Sequence, residues 1–142
     1  MLAMFEGNKN LIALDASGFD TSKVTSFWRM FLNCSKLTGL NVNNFDTSNI
    51  TSMCSMFSGC NSLTSLDVSN FNTIKVTDMS RMFQNCSSLK NLDLRNATFD
   101  KVTSYDNMFS SVPSTINIIT KDATTKSWLE DKLGGTGTVT IA

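Results

Sequence analysis

The chain has 142 residues, 41% hydrophobic and 17% charged, which bounds it to one domain with a modest core. Twelve Lys and Arg balance twelve Asp and Glu, so no basic field exists to attract nucleic acid or an anionic membrane surface. No run approaches the roughly 18–20 apolar residues of a membrane span, and four cysteines in no C-x-x-C pair, without any histidine, leave zinc no ligand set.

Residues 1–10 read as the second half of a repeat, because Met1, Met4 and Phe5 stand where Met79, Met82 and Phe83 stand three copies later. The chain is therefore expected to begin inside a repeat. The segment lacks the basic-then-apolar layout of a signal peptide and is expected to act as an improvised N-terminal lid, with Met1, Leu2, Met4 and Phe5 as an apolar edge. Four full copies begin at Leu11, Leu37, Leu63 and Leu89 and fill residues 11–114, so the period is 37 − 11 = 26 residues, which is the size of a stacked repeat unit.

Each copy opens on an L-x-x-L-x-V segment such as Leu63, Leu66 and Val68, followed by Phe71. Its period-two alternation predicts a short strand with one buried face. In the fourth copy Ala97 replaces the Phe and Phe99 follows two places on, which predicts a local rearrangement. Polar turns come next (Asp20-Thr21-Ser22, Asp46-Thr47-Ser48), rich in side chains that bond nearby backbone amides. The turn leads into V-T-x-M-x-x-M-F-x-x-C. There Met79, Met82, Phe83 and Cys86 fall at i, i+3, i+4 and i+7, which predicts a short helix capped by Thr77. Residues 115–142 leave the repeat and predict a C-terminal cap: a strand at 116–119, a helix at 122–133 ending at Gly134-Gly135, and a strand at 136–141.

The fold expected is thus α/β, a leucine-rich-repeat-like solenoid. It has short parallel strands on one wall, short helices on the other, and a strand-helix-strand cap. Helices packed about 8–10 Å apart against strands about 4.8 Å apart would bend the array and put the sheet on its concave side. The same helix spacing would hold Cys34, Cys60 and Cys86 beyond disulfide reach, so they are expected as reduced, buried thiols. Cys54, at the edge of its segment, is the accessible one.

No catalytic constellation is visible, because the aspartates repeat along the surface instead of converging and Glu6 and Glu130 are the only glutamates. An enzyme is therefore the least favoured class, and no cofactor or metal is expected. Candidate ligand-binding residues are the outward positions of the strand segment, Asp15, Asn41, Asp67 and Asp93, with Ser17, Asn43, Ser69 and Arg95 beside them. They make a polar stripe on the expected concave face. Trp28 is expected to be partly exposed and is a candidate anchor for a partner. Against each stands the plainer reading of a solvated surface.

The wording L-x-x-L-D-V-S-x-F-D-T-S-x-V-T-x-M-x-x-M-F-x-x-C resembles the 26-residue repeat of bacterial surface proteins, a leucine-rich-repeat-like family grouped with BspA-like proteins. The resemblance covers residues 11–114 and the half copy before them. It implies an extracellular protein of the bacterial cell surface whose usual role is adhesion, with a protein or glycan ligand and no catalytic residues. Read this way, the chain is a non-enzymatic binding module. The alternative is a structural spacer that displays another domain. A monomer, or weak end-to-end association through the open N-terminal copy, is expected.

Overall fold

The computed structural model describes residues 1–142. Its elements are β1 (Ala13–Asp15), β2 (Gly39–Asn41), β3 (Ser65–Asp67), β4 (Asn91–Asp93), β5 (Asn117–Thr120), α1 (Ala123–Leu133) and β6 (Thr138–Ile141). All strand pairs are parallel, in two sheets, β1-β2 and β3-β4-β5-β6. The register repeats the sequence period: Leu14 faces Leu40, Leu66 faces Leu92, and Leu92 faces Ile118. Between β2 and β3 the strands do not pair. There the Asn70 amide spans the copies instead, its Nδ2 donating to the Asn43 carbonyl at 2.8 Å.

The strands are three residues long because one apolar side chain per strand suffices to reach the core: in β3 only Leu66 of Ser65, Leu66 and Asp67 is buried. All nine positions read as inward in the third copy are buried, namely Leu63, Leu66, Val68, Phe71, Val76, Met79, Met82, Phe83 and Cys86. They join one cluster that runs from Ala16 to Val139.

The helices expected on the second wall are absent. The segments that begin at Ser26, Ser52, Asp78 and Ser104 form a second parallel ladder, followed by chains of tight turns. Alternate amides choose different partners. Met30, Leu32 and Cys34 donate three residues back, to Phe27, Arg29 and Phe31, whereas Phe27, Arg29, Phe31 and Asn33 donate across to Ser52, Cys54, Met56 and Ser58 of the next copy. An α-helix would keep every amide within its own segment. Here half of them join the layers. The exchange requires left-handed backbone at two places per copy, Arg29 and Asn33, Ser55 and Gly59, Arg81 and Asn85, Asn107 and Ser111, at about 1 kcal/mol per non-glycine residue.

Two expectations built on those helices change with them. Both walls are tied by backbone bonds between copies, so the unequal spacing that would have curved the array is gone. The cysteine argument also loses its premise, although the outcome stands: all four are free thiols. Cys34, Cys60 and Cys86 donate from Sγ to the carbonyls of Phe5, Phe31 and Phe57 at 3.1, 3.2 and 3.1 Å. Burial raises the pKa of all three thiols, that of Cys86 to about 12.

Threonine splices the copies at the corner between the walls. Buried Thr47 donates to the Asn72 carbonyl at 3.1 Å and accepts the Asn72 amide at 2.6 Å. Thr21 with Asp46, and Thr73 with Thr98, repeat the arrangement. The fourth copy keeps this splice and its turn, since the Ala97 amide bonds to Leu94 as Phe71 bonds to Val68. The rearrangement expected there is confined to side chains. Phe99 lies flat on Trp128 of α1, ring centroids 4.2 Å apart, and so serves the cap.

The cap follows its expected order. Asp122 caps α1 by accepting the Thr125 amide at 2.8 Å, and Gly134 ends the helix in left-handed backbone. β6 then pairs with β5. At the other end residues 1–10 extend the turn wall through Ala3, Phe5 and Gly7, whose amides reach Trp28, Met30 and Leu32. Leu2 and Met4 are exposed there, whereas Met1 and Phe5 are half-buried. No helix is long and apolar enough to cross a membrane.

Candidate ligand-binding face

The strand wall presents the outward residues of β1 to β4. Asp15 faces Asn41 in register, and Asp67 faces Asp93. Asn41 Nδ2 donates to Asp15 Oδ1 at 3.0 Å. The neighbouring positions do not stand beside them as a second row. Each supplies a backbone amide to the column residue two places earlier: Ser17 to Asp15, Asn43 to Asn41, Ser69 to Asp67 and Arg95 to Asp93, at 2.9–3.1 Å. Every pair is one side-chain-closed turn that ends a strand. The same device recurs at Asp20, Asp46 and Asn72, and again at Ser26, Ser52 and Asp78.

These turns fix the charge of the face. Ser17, through its hydroxyl and its amide, holds Asp15 below the usual carboxylate range, with Asn41 assisting. At Asp93 burial works in the opposite direction, but hydrogen bonds and the charge of Arg95 outweigh it and the net shift is downward. Arg95 clasps Asp93 through Nε and Nη2, the latter at 2.5 Å. A shallow groove of about 230 Å³ runs between the third and fourth copies, lined by Ser65, Asp67, Asn91, Asp93 and Ile119. It offers two carboxylates, a hydroxyl and an amide over an apolar floor. That is hydrogen-bonding chemistry, with no nucleophile and base within reach of each other.

Trp28 is not brought to this face. It stands on the turn wall, 38% exposed, with the Arg29 guanidinium 4.4 Å from its ring centre. Cys54 is half-buried and accepts the Ser80 hydroxyl at 3.3 Å. No three His, Cys, Asp or Glu side chains cluster as metal ligands would.

Two grooves escaped the sequence reading. One, of about 550 Å³, crosses the turn wall past Asn33, Asn61, Asn85 and Ser87 and has no apolar lining residue. The other, of about 520 Å³, lies where the last copy meets the end of α1, with Asn107, Phe109, Ser111, Lys132 and Leu133 in its walls. The available signal was the column Asn33, Gly59, Asn85, Ser111. Asn and Gly are residue types that tolerate left-handed backbone, but the helical spacing of the apolar residues masked it.

Short parallel strands stacked at a fixed period, with a regular row of polar turn residues on the outer face, define a strand-rich tandem-repeat domain of the kind that presents a surface instead of enclosing a site. The chain belongs to a bacterial repeat family, described as Mycoplasma protein of unknown function, DUF285, whose model matches residues 1–121. That match ends one residue before the cap of α1. No curated protein and no solved structure matches the chain.

Proposed function

We propose that this chain is a non-enzymatic binding module of a bacterial cell-surface protein, built as a leucine-rich-repeat-like solenoid. Its ligand is a protein or glycan of a host or neighbouring cell, held on the strand wall. The observation that carries the reading is the groove over Asp67 and Asp93. It combines ionised carboxylates, the free amide of Asn91 and the apolar Ile119 floor on a wall whose backbone is already fully committed to its own turns. Repeat arrays characteristically bind on such continuous faces. Extracellular placement and kinship with BspA-like proteins rest on the repeat wording described above.

The test is a binding screen of the intact chain against host proteins and glycans, repeated with Ser65→Tyr, which fills the groove from an exposed position without removing a turn bond. Ligands lost with S65Y support the strand wall as the site; ligands retained place it elsewhere. A second reading, a structural spacer, is favoured by the continuous turn-wall ladder that makes the stack stiff along its axis. It predicts that no ligand is captured at all.

A further inference from the structure

The turn wall has a direction. The peptide groups that precede Arg29, Phe31 and Asn33 all point their N–H toward the next copy and their carbonyl toward the previous one. The resulting columns can be followed through the whole molecule. Ala3 donates to Trp28, Arg29 to Cys54, Ser55 to Ser80 and Arg81 to Asp106. The neighbouring columns end in Phe83 donating to Met108 and Asn85 donating to Ser110. One step further the donors are Asn107, Phe109 and Ser111, whose amides bond to nothing within the chain. One step before the first acceptors stand the carbonyls of Leu2, Met4 and Glu6, which likewise accept no bond. One end of the wall is a row of donors only, and the other is a row of acceptors only, at the same spacing.

A regular strand edge shows donors and acceptors together and can pair with many partners. A donor-only row, at the positive end of aligned peptide dipoles, fits only an edge made of acceptors. A free anion is the other chemistry such a row suits, but it would meet Asp106 and Asp131 on the groove wall, and Lys132 is already held by Asp131 at 2.6 Å. An uncharged row of carbonyls meets no such penalty. The groove of about 520 Å³ leaves the row open between residues 107–111 and the end of α1.

We propose that this groove receives the N-terminal edge of a second copy of the chain, with Asn107, Phe109 and Ser111 donating to the carbonyls of Leu2, Met4 and Glu6. The contact uses different surfaces on the two molecules, so it leaves one donor row and one acceptor row free after each step. It therefore builds linear chains instead of closing as a dimer. It is independent of any ligand on the strand wall.

Sedimentation velocity from about 10 μM to about 1 mM should show a mass that rises with concentration beyond twice the 15.6 kDa monomer. Leu2→Asp with Met4→Asp alters two exposed side chains and sets them against Asp106 and Asp131, and should weaken association by about tenfold or more. In a Cys54→Ser background, chains carrying Ser110→Cys should cross-link to chains carrying Glu6→Cys, because those positions become ladder neighbours within disulfide reach. Three results would overturn the proposal: a monomer throughout the range, Ser110→Cys chains cross-linking to each other as readily as to Glu6→Cys chains, or undiminished association of the double aspartate variant. A strand-wall ligand could be found or missed without bearing on any of them.

Discussion

The Cys60 thiol donates to the carbonyl of Phe31, 29 residues earlier, at 3.2 Å. The same carbonyl accepts the Cys34 amide at 3.2 Å, so each cysteine locks its own copy to the turn of the one before. The sulfur is fully buried and its ionisation is driven up by burial, which makes it a packing group and not a nucleophile. In the native protein a thiol reagent should modify Cys54 ahead of the other three, with all four reacting in denaturant. Mass spectrometry of the time course checks this; early labelling of Cys60 would mean that the column opens. Cys60→Ala should cost about 1–3 kcal/mol in a urea titration, through the lost contact and hydrogen bond.

Phe5, Phe31, Phe57, Phe83 and Phe109 stack with centroids 5.4, 5.7, 5.8 and 5.7 Å apart and nearly parallel planes. Phe57 has a ring on each side, whereas Phe109 ends the row. Phe57→Leu should therefore lower stability more than Phe109→Leu, the central substitution costing about 1–3 kcal/mol. Equal effects would show that the stack adds nothing beyond burial.

Gly59 and Asn85 occupy the same column in left-handed backbone, at φ 74° and 58°. A Cβ on Gly59 would run into the Asn33 side chain. Gly59→Ala is expected to cost more than about 1 kcal/mol, from strain and collision together, whereas Asn85→Gly should stay within about 1 kcal/mol of wild type. Denaturant midpoints of the two variants decide it, and a neutral Gly59→Ala would contradict the packing described.

Asp15, Asp20, Asp46 and Asp93 are all held below their ordinary pKa by the turns they close, through Ser17, Ser22, Ser48 and Arg95. A carboxylate whose pKa is depressed on folding contributes stability that is present above its unfolded value, about 3.9, and lost as pH falls through the folded value. Urea midpoints should be similar at about pH 7 and pH 5 and fall below about pH 4. Asn41 and Asn72 make the same turn bond without a charge. Asp15→Asn, Asp20→Asn and Asp46→Asn combined should therefore flatten the acid limb while preserving the fold. An unchanged limb would assign acid sensitivity to other groups.

The helix reading failed for a specific reason. Phe27, Met30, Phe31 and Cys34 have helical spacing and are all buried, but a succession of tight turns can place the same positions inward. What distinguishes the two is where the alternate amides go, and that depends on a neighbouring copy lying within bonding distance. Side-chain periodicity carries no record of it. The polar stripe shows a related limit. That Asp15, Asn41, Asp67 and Asp93 face outward followed from alternation alone, whereas the use of Ser17, Asn43, Ser69 and Arg95 as turn-closing partners emerged only from the path of the backbone after each strand.

The period of 26, the inward columns, the parallel register and the strand-helix-strand ending are determined by the sequence itself, because each follows from local alternation and its repetition. Tertiary structure alone decided that the second wall is a directed ladder. It also set the spacing of the cysteines and phenylalanines, and left a donor row beside α1 and an acceptor row at Leu2, Met4 and Glu6. Those features belong to hydrogen bonds between copies, which exist only once one copy lies against the next.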